Sequence, residues 1–417
     1  MRHNVGIMQW SRREFLKAAG MSAAALVTPN WAFGQAPSKR PNFIFILMDD
    51  MGWMDTGCYG SQYYETPNIN RLAAEGVRFT QAYAACPVCS PTRASILTGK
   101  YPARLRLTDW IAGHRRPYAR LMPPDWTMFM PHEEVTIAEA LKDAGYVTAS
   151  VGKWHLGDKP YAPETQGFDH NIAGGPWGQP ANYFSPYKRE YPNLADGPAG
   201  EYLTDRLTDE SLRFIAQSKD RPFFLYFPHY AVHTPIQAKQ GLVAKYEAKE
   251  KRGQKNAAYA AMVESADESV GRILTKLDEL RIADRTVIIF MSDNGGLASV
   301  TSNAPLRAGK GTAYEGGIRE PMLIKWPGVT RQGSVCDTPV TSTDFYPTML
   351  EMAGLPSRPQ QHCDGLSLAP LLKQTGRIER EALFWHYPHY HLTTPFGAVR
   401  KGDWKLIEYY EDMHVEL

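Results

Sequence analysis

The stretch Asn42-Phe43-Ile44-Phe45-Ile46-Leu47-Met48-Asp49-Asp50 decides how the chain is read. An unbroken apolar run of this length is how a strand buried on both faces of a parallel sheet is written. It ends in two adjacent carboxylates. At the C-terminal edge of a buried strand such a pair is costly unless a cation or hydrogen-bond donors meet it. Open α/β sheets also bind their ligands at that edge. A hard divalent-metal site built from oxygen ligands satisfies both facts. A helix cap or a plain turn is the alternative for this stretch taken alone.

A second apolar run, Val287 to Met291, ends the same way, in Ser292-Asp293-Asn294-Gly295. Asp-Asn-Gly by itself is a common turn; the repetition is what raises the metal reading. If the two strands are neighbours, Asp49, Asp50, Asp293 and Asn294 converge on one sheet edge. These positions include no Cys or His, which favours Ca²⁺ or Mg²⁺ over zinc. Further strands are expected at Tyr146 to Val151, Phe223 to Phe227 and Met322 to Lys325. Helices are expected between Thr66-Pro67 and Gly76, after a capping box at Thr136 and Glu139, near Thr204 to Gln217, and from Ala257 to Leu280. Val263, Ala266, Val270, Ile273 and Leu277 line one face of the last of these. The class is α/β, with a mostly parallel central sheet sandwiched by helices.

Pro87 to Gly99 reads as a short helix with its stop signal. Pro91 sits where a first-turn proline is tolerated, and Gly99 where a left-handed cap falls. Cys89 then lies at the helix N-terminus, a place that suits an anion and lowers a thiol pKa. Arg93, one turn on, can fork onto the same oxyanion. Cys86 and Cys89 could alternatively be a redox or zinc pair, but no second pair follows. Whether the other four of the five cysteines form disulfides is left open.

Cys89-x-Pro91-x-Arg93, followed by Thr98-Gly99, resembles the signature of the type I sulfatases, in which the cysteine is oxidised to formylglycine. Gly145 to His155, ending in Gly152-Lys153-Trp154-His155, looks like the second signature of that family. Lys153 and His155 are two apart, so in extended chain they would project to the same side. His233-Thr234-Pro235 resembles the third active-site histidine; His229 is the other candidate. Pro305 to Lys310 and Glu315 to Pro321 are similar to a further block, which carries Lys310 into the site. The resemblance covers residues 40–417 and implies an alkaline-phosphatase-like fold with a small antiparallel C-terminal subdomain.

That resemblance implies a mechanism. Hydrated formylglycine at Cys89 attacks sulfur, on a metal held by Asp49, Asp50, Cys89, Asp293 and Asn294. Arg93, Lys153 and Lys310 neutralise the sulfate oxygens. His155 handles the proton of the second hydroxyl, and His233 with Lys310 protonates the leaving oxygen. The expected substrates are sulfated sugars, of the galactose or N-acetylgalactosamine sulfate type, or aryl sulfate esters. A formylglycine-generating or equivalent maturation enzyme is the implied partner. Two rivals remain: a phosphate mono- or diester hydrolase on the same fold, and a non-catalytic sulfoglycan-binding protein whose Cys89 is never matured.

From about Arg377 the character changes. His386, His389 and His391 fall in an aromatic stretch expected to overhang the pocket and bind substrate. A hairpin follows near Ala398 to Ile407, then an expected strand at the end of the chain, where relatives usually continue; the last subdomain, 376–417, is expected to be incomplete. The catalytic domain is expected over 38–375. Ser11-Arg12-Arg13-Glu14-Phe15-Leu16-Lys17, with the mildly apolar Ala18 to Val27 behind it, reads as a twin-arginine signal over residues 1–36. It predicts passage through the twin-arginine export machinery to the periplasm or beyond. No segment reads as transmembrane. A net charge of +2 over 417 residues gives no reason to expect nucleic acid.

Overall fold

The computed structural model describes residues 40–114 and 116–417. The twin-arginine segment expected at 1–36 lies outside the described residues. The strands of the main sheet are β1 (Asn42–Met48), β2 (Val77–Tyr83), β3 (Val147–Val151), β4 (His170–Ile172), β5 (Phe223–Pro228), β6 (Thr286–Ser292), β7 (Arg319–Lys325), β8 (Ser334–Cys336) and β9 (Val340–Thr341). Their order is β4-β3-β5-β1-β6-β7-β2-β8, with β9 also on β2. All pairings are parallel except those of β7, which runs against both β6 and β2.

The reason β1 is apolar throughout is now plain. It is central, flanked by β5 and β6, and none of its residues is exposed. Ile44, Ile46 and Met48 enter one core with the Leu203–Ser218 and Ala257–Glu279 helices; Phe43, Phe45 and Leu47 enter the other with the Ile137–Asp143 and Phe345–Met352 helices. Each such side chain contributes about 1.5–3 kcal/mol of transfer free energy. The register pairs Met48 with Ser292. Asp293 N–H then donates to Met48 carbonyl at 3.0 Å, so the two acidic turns leave the sheet side by side.

The last four strands, β10 (Leu383–Tyr387), β11 (Phe396–Lys401), β12 (Trp404–Tyr409) and β13 (Val415–Glu416), form an antiparallel sheet in chain order. Its inner face packs through Trp385, Tyr387 and Phe396 onto Tyr83, Cys86 and Val88. Trp385 Nε1–H donates to Ala84 carbonyl at 2.8 Å. Residues Arg40–Leu417 form one compact unit. No helix among the described residues is long and apolar enough to cross a membrane.

Candidate active site

The Cys89–Thr98 helix begins at Cys89, after extended Val88, and Gly99 caps it at φ +70° with its N–H on Ser95 carbonyl at 2.9 Å. Every residue of this helix is buried. That is unusual for a helix end with no side-chain cap, and it leaves the N-terminal N–H groups to serve whatever sits at position 89. Burial pushes the Cys89 thiol up, against the pull of Lys153 and Lys310. Cys86, also buried, belongs to the apolar cluster of Tyr83 and Val88 rather than to a second thiol pair. All five cysteines are free thiols.

Cys89 Sγ lies 3.3 Å from Nδ1 of His155. The other ring nitrogen, Nε2, meets the Ile111 carbonyl, which fixes the imidazole's orientation. Burial, then Lys153, hold His155 neutral, well below its ordinary pKa. His155 lines the pocket while Lys153 is buried behind it on Asp49, and the chain between them is not extended. Gly152 turns at φ +118°, where a Cβ would stand 2.0 Å from Pro228 carbonyl oxygen, and His155 itself sits at φ +56°. Gly178 faces the imidazole so closely that a Cβ would lie 2.7 Å from Cε1. Backbone strain here buys the ring position.

Behind Cys89 the acidic turns meet four cations or donors. Lys153 Nζ donates to Asp49 Oδ2 at 2.8 Å. Arg93 donates to Asp293 Oδ2 through Nε at 3.0 Å and Nη2 at 2.7 Å, and to Lys153 carbonyl through Nη1 at 3.0 Å. Lys310 Nζ lies 2.6 Å from Asp50 Oδ1 and 2.8 Å from Oδ2. Asn294 Nδ2–H donates to Asp50 Oδ1 at 2.7 Å. His233 Nε2 is 3.2 Å from Lys310 Nζ and 3.5 Å from Asp50 Oδ2.

The two neighbouring aspartates differ. Burial pushes Asp49 up to about 8, aided by Asp293 and only partly opposed by Lys153. Asp50 stays well below the usual carboxylate range; burial works against this, but Lys310 and then His233 outweigh it. Burial, with Lys310 beside it, holds His233 down to about 3, while Lys310 is raised because Asp50 outweighs its burial.

Do these residues fit a metal ion? Asp49 Oδ1 and Asn294 Oδ1 are buried acceptors with no hydrogen-bond partner. Orphaned acceptors beside three buried carboxylates are what a cation site leaves when only the protein is counted. The tightest cluster of ligand atoms is Asp49, Asp50 and His233, all within 4.8 Å of one another. His233 also stands beside Lys310, so the oxygen set, which includes both orphans, is the better donor set.

The pocket above Cys89 holds about 330 Å³, within the range of small-molecule sites. Cys89, His155, His233 and Lys310 line it on one side; Trp110, His114, Gln179 and His391 complete it. Of the three aromatic-stretch histidines, the structure brings only His391 here. His389 is buried at 2% exposure and bonds Thr108 Oγ1 at 2.8 Å. His386 alternates to the outer face of β10 and meets Tyr410. It lines a larger cavity, about 720 Å³, with Tyr101 and Phe384; none of Cys89, His155, His233 and Lys310 reaches it. His229 is fully buried against Phe227 with both ring nitrogens unpartnered, outside the pocket lining. Trp110, His114 and Gln179 were not foreseen. They lie in irregular loops that meet Cys89 only in the fold.

A family model described as Sulfatase matches residues 41–355. The chain belongs to the sulfatase family. A second model, N-sulphoglucosamine sulphohydrolase, C-terminal, matches residues 309–417. The chain is 38% identical to human N-acetylgalactosamine-6-sulfatase over 389 residues, covering 88% of this chain and 72% of the relative. It is 35% identical to a sulfatase of Formosa agariphila, over 94% of this chain and 85% of that one. The crystal structure of Ps i-CgsB in complex with k-i-k-neocarrahexaose superposes with TM-score 0.76 at 33% identity, covering 89% of this chain and 84% of that one. The sulfatase is thus a sulfuric ester hydrolase, and its family implies a metal ion and a formylglycine in this site.

Proposed function

We propose that this sulfatase hydrolyses sulfate monoesters of sugars, with Cys89, Arg93, Lys153, His155, His233 and Lys310 as its catalytic set. The observation that carries the reading is Cys89 Sγ at a buried helix N-terminus, 3.3 Å from an oriented, neutral His155. The Sγ marks where the oxygen of a matured residue stands. A hydrated aldehyde there supplies two hydroxyls, one to attack sulfur and one whose deprotonation releases sulfate. Asp49, Asp50, Asp293, Asn294 and residue 89 would hold a Ca²⁺ ion, which would supply Lewis acidity to that hydroxyl and to the sulfate; Mg²⁺ is the other hard cation these oxygens suit.

The chain's own groups do the rest. His155 Nδ1 is free to accept a proton from the residue-89 oxygen because Nε2 is engaged by Ile111. Lys153 and Lys310 set fixed positive charge around the sulfate, and Arg93 anchors Asp293. Lys310 keeps its proton, and neutral His233 lies 3.2 Å away. This pair delivers one proton to the leaving sugar oxygen. The aromatic side of the pocket faces the sugar, and relatives include N-acetylgalactosamine-6-sulfatases. The twin-arginine pattern at Arg12-Arg13 supports export, with Cys89 matured before the folded chain leaves the cytoplasm.

The test is sulfate release from a panel of sulfated galactose and N-acetylgalactosamine esters, beside the matching phosphate esters. The protein must come from a host able to mature Cys89, with conversion checked by mass of the peptide. Faster phosphate than sulfate release would replace this reading with the phosphohydrolase one. An unmodified thiol from such a host would favour the binding protein.

A further inference from the structure

The segment that closes the pocket opposite the aspartates continues outward as a basic lip. From Trp110 to Met122 the sequence carries Arg115, Arg116 and Arg120 and no acidic residue. Trp110 and His114 line the pocket itself. His114 stacks on His391 at 5.0 Å with 23° between planes, and Trp110 meets His114 edge-on at 4.9 Å. The lip is therefore continuous with the pocket wall. It is anchored on the catalytic side as well, because Ile111 N–H donates to Ser90 Oγ at 3.2 Å.

Two of its cations are uncommitted. Lys100 and Arg104, earlier on the same segment, are each tied to a carboxylate, Glu134 and Asp364. Arg116 and Arg120 are exposed and have no ion-pair partner among the described residues. Glu411, which like Arg120 acts on Tyr390, accepts a hydrogen bond from the Tyr390 hydroxyl instead. Arg116 stands near enough to act electrostatically on both His114 and His391. Between the arginines Tyr118 is 99% exposed. A fully exposed ring flanked by two unpaired guanidinium groups, at the mouth of a pocket that itself takes an anion, is a surface for more negative charge.

We infer that the Trp110–Arg120 lip is a second subsite, and that it holds the next anionic residue of a polyanionic glycan chain whose sulfated sugar occupies the pocket. The inference rests on the sulfatase reading of that pocket. A sulfate or a carboxylate on the neighbouring sugar would satisfy the guanidinium groups, and a sugar ring can lie on Tyr118.

The experiment compares KM for a sulfated oligosaccharide with KM for a small aryl sulfate, in wild type and in Arg116→Ala/Arg120→Ala. The expected result is a roughly tenfold loss of preference for the oligosaccharide, read as the ratio of the two KM values, together with a flatter dependence on salt. Arg116→Lys/Arg120→Lys restores much of the ratio. Oligosaccharides carrying either sulfate or uronate on the neighbouring sugar decide which anion the lip takes. An unchanged ratio with aryl sulfate turnover intact overturns the subsite alone. No turnover of any sulfate ester by matured wild type overturns the sulfatase reading and this inference with it.

Discussion

Behind one wall of the pocket, Asp49, Asp50, Asp293, Lys153, Arg93 and Lys310 are buried and bonded to one another at 2.6–3.0 Å. On the other, Trp110, His114 and His391 meet as rings 4.9–6.1 Å apart. The first wall is made from the exits of central strands, where the register leaves no freedom. The second is made from irregular loops that approach from the C-terminal sheet and from the segment after Lys100. A rigid charged wall suits a transition state that never changes, and a softer wall suits a leaving group that differs between relatives. The predictions below set one wall against the other.

The largest effect is expected at Cys89. Cys89→Ala removes the group from which the proposed hydrated aldehyde derives, and turnover should fall by roughly 10⁴-fold or more. The melting temperature should move little, because the change removes one small buried atom. Turnover within tenfold of wild type would take Cys89 out of the mechanism.

Arg93→Ala tests how strongly the charged wall is held together. Arg93 is fully buried between Asp293, Asp49 and the Lys153 carbonyl. Removing one partner of such a group leaves the carboxylates uncompensated, at a cost of about 3–5 kcal/mol of stability. Chemical denaturation measures this directly. A loss below about 1 kcal/mol would mean that another cation carries those carboxylates.

His233→Ala should slow release of a sugar alcohol by about 10²-fold and release of an activated phenol much less, since only the poor leaving group needs the proton. Equal losses on both esters would assign His233 to binding. Both arms are read from kcat on the two substrates.

The two walls were not equally legible in the sequence. Asp49, Asp50, Asp293 and Asn294 could be found because an apolar run ending in oxygen ligands is a local pattern. The parallel sheet then makes neighbours of β1 and β6. Lys153 and His155 stand in a readable motif, yet the chain there is not extended, and only His155 lines the pocket. Only the backbone shows Gly152 and His155 at positive φ. Trp110, His114 and Gln179 had no local signal, because their partners are far away in sequence. The histidines of the C-terminal stretch show the same limit. One-residue alternation along β10 sends His386 outward, and the turn after it buries His389 on Thr108 and frees His391 for the pocket.

The smallest expected effect lies at the root of the softer wall. Asp109 is buried and accepts from Tyr387 OH at 2.7 Å and Trp110 N–H at 2.9 Å. It therefore ties the Trp110 loop to the C-terminal sheet. Burial raises its pKa from 3.8 to about 7, and those two hydrogen bonds only moderate the rise. The folded state thus binds a proton that the unfolded state has already lost between these values. Stability from this group is present below about pH 4 and is lost as pH rises toward 7. Asp109→Asn keeps a carbonyl oxygen for Tyr387 and Trp110 but carries no charge. Its melting temperature relative to wild type should rise steadily across pH 4–7. The Cys89–His155 contact has no part in this titration, so kcat on an aryl sulfate should stay level between the two proteins at any one pH. A flat difference in melting temperature would mean that Asp109 is ionised in the fold. The Trp110 loop would then be held by a charged anchor, as firmly as the wall opposite.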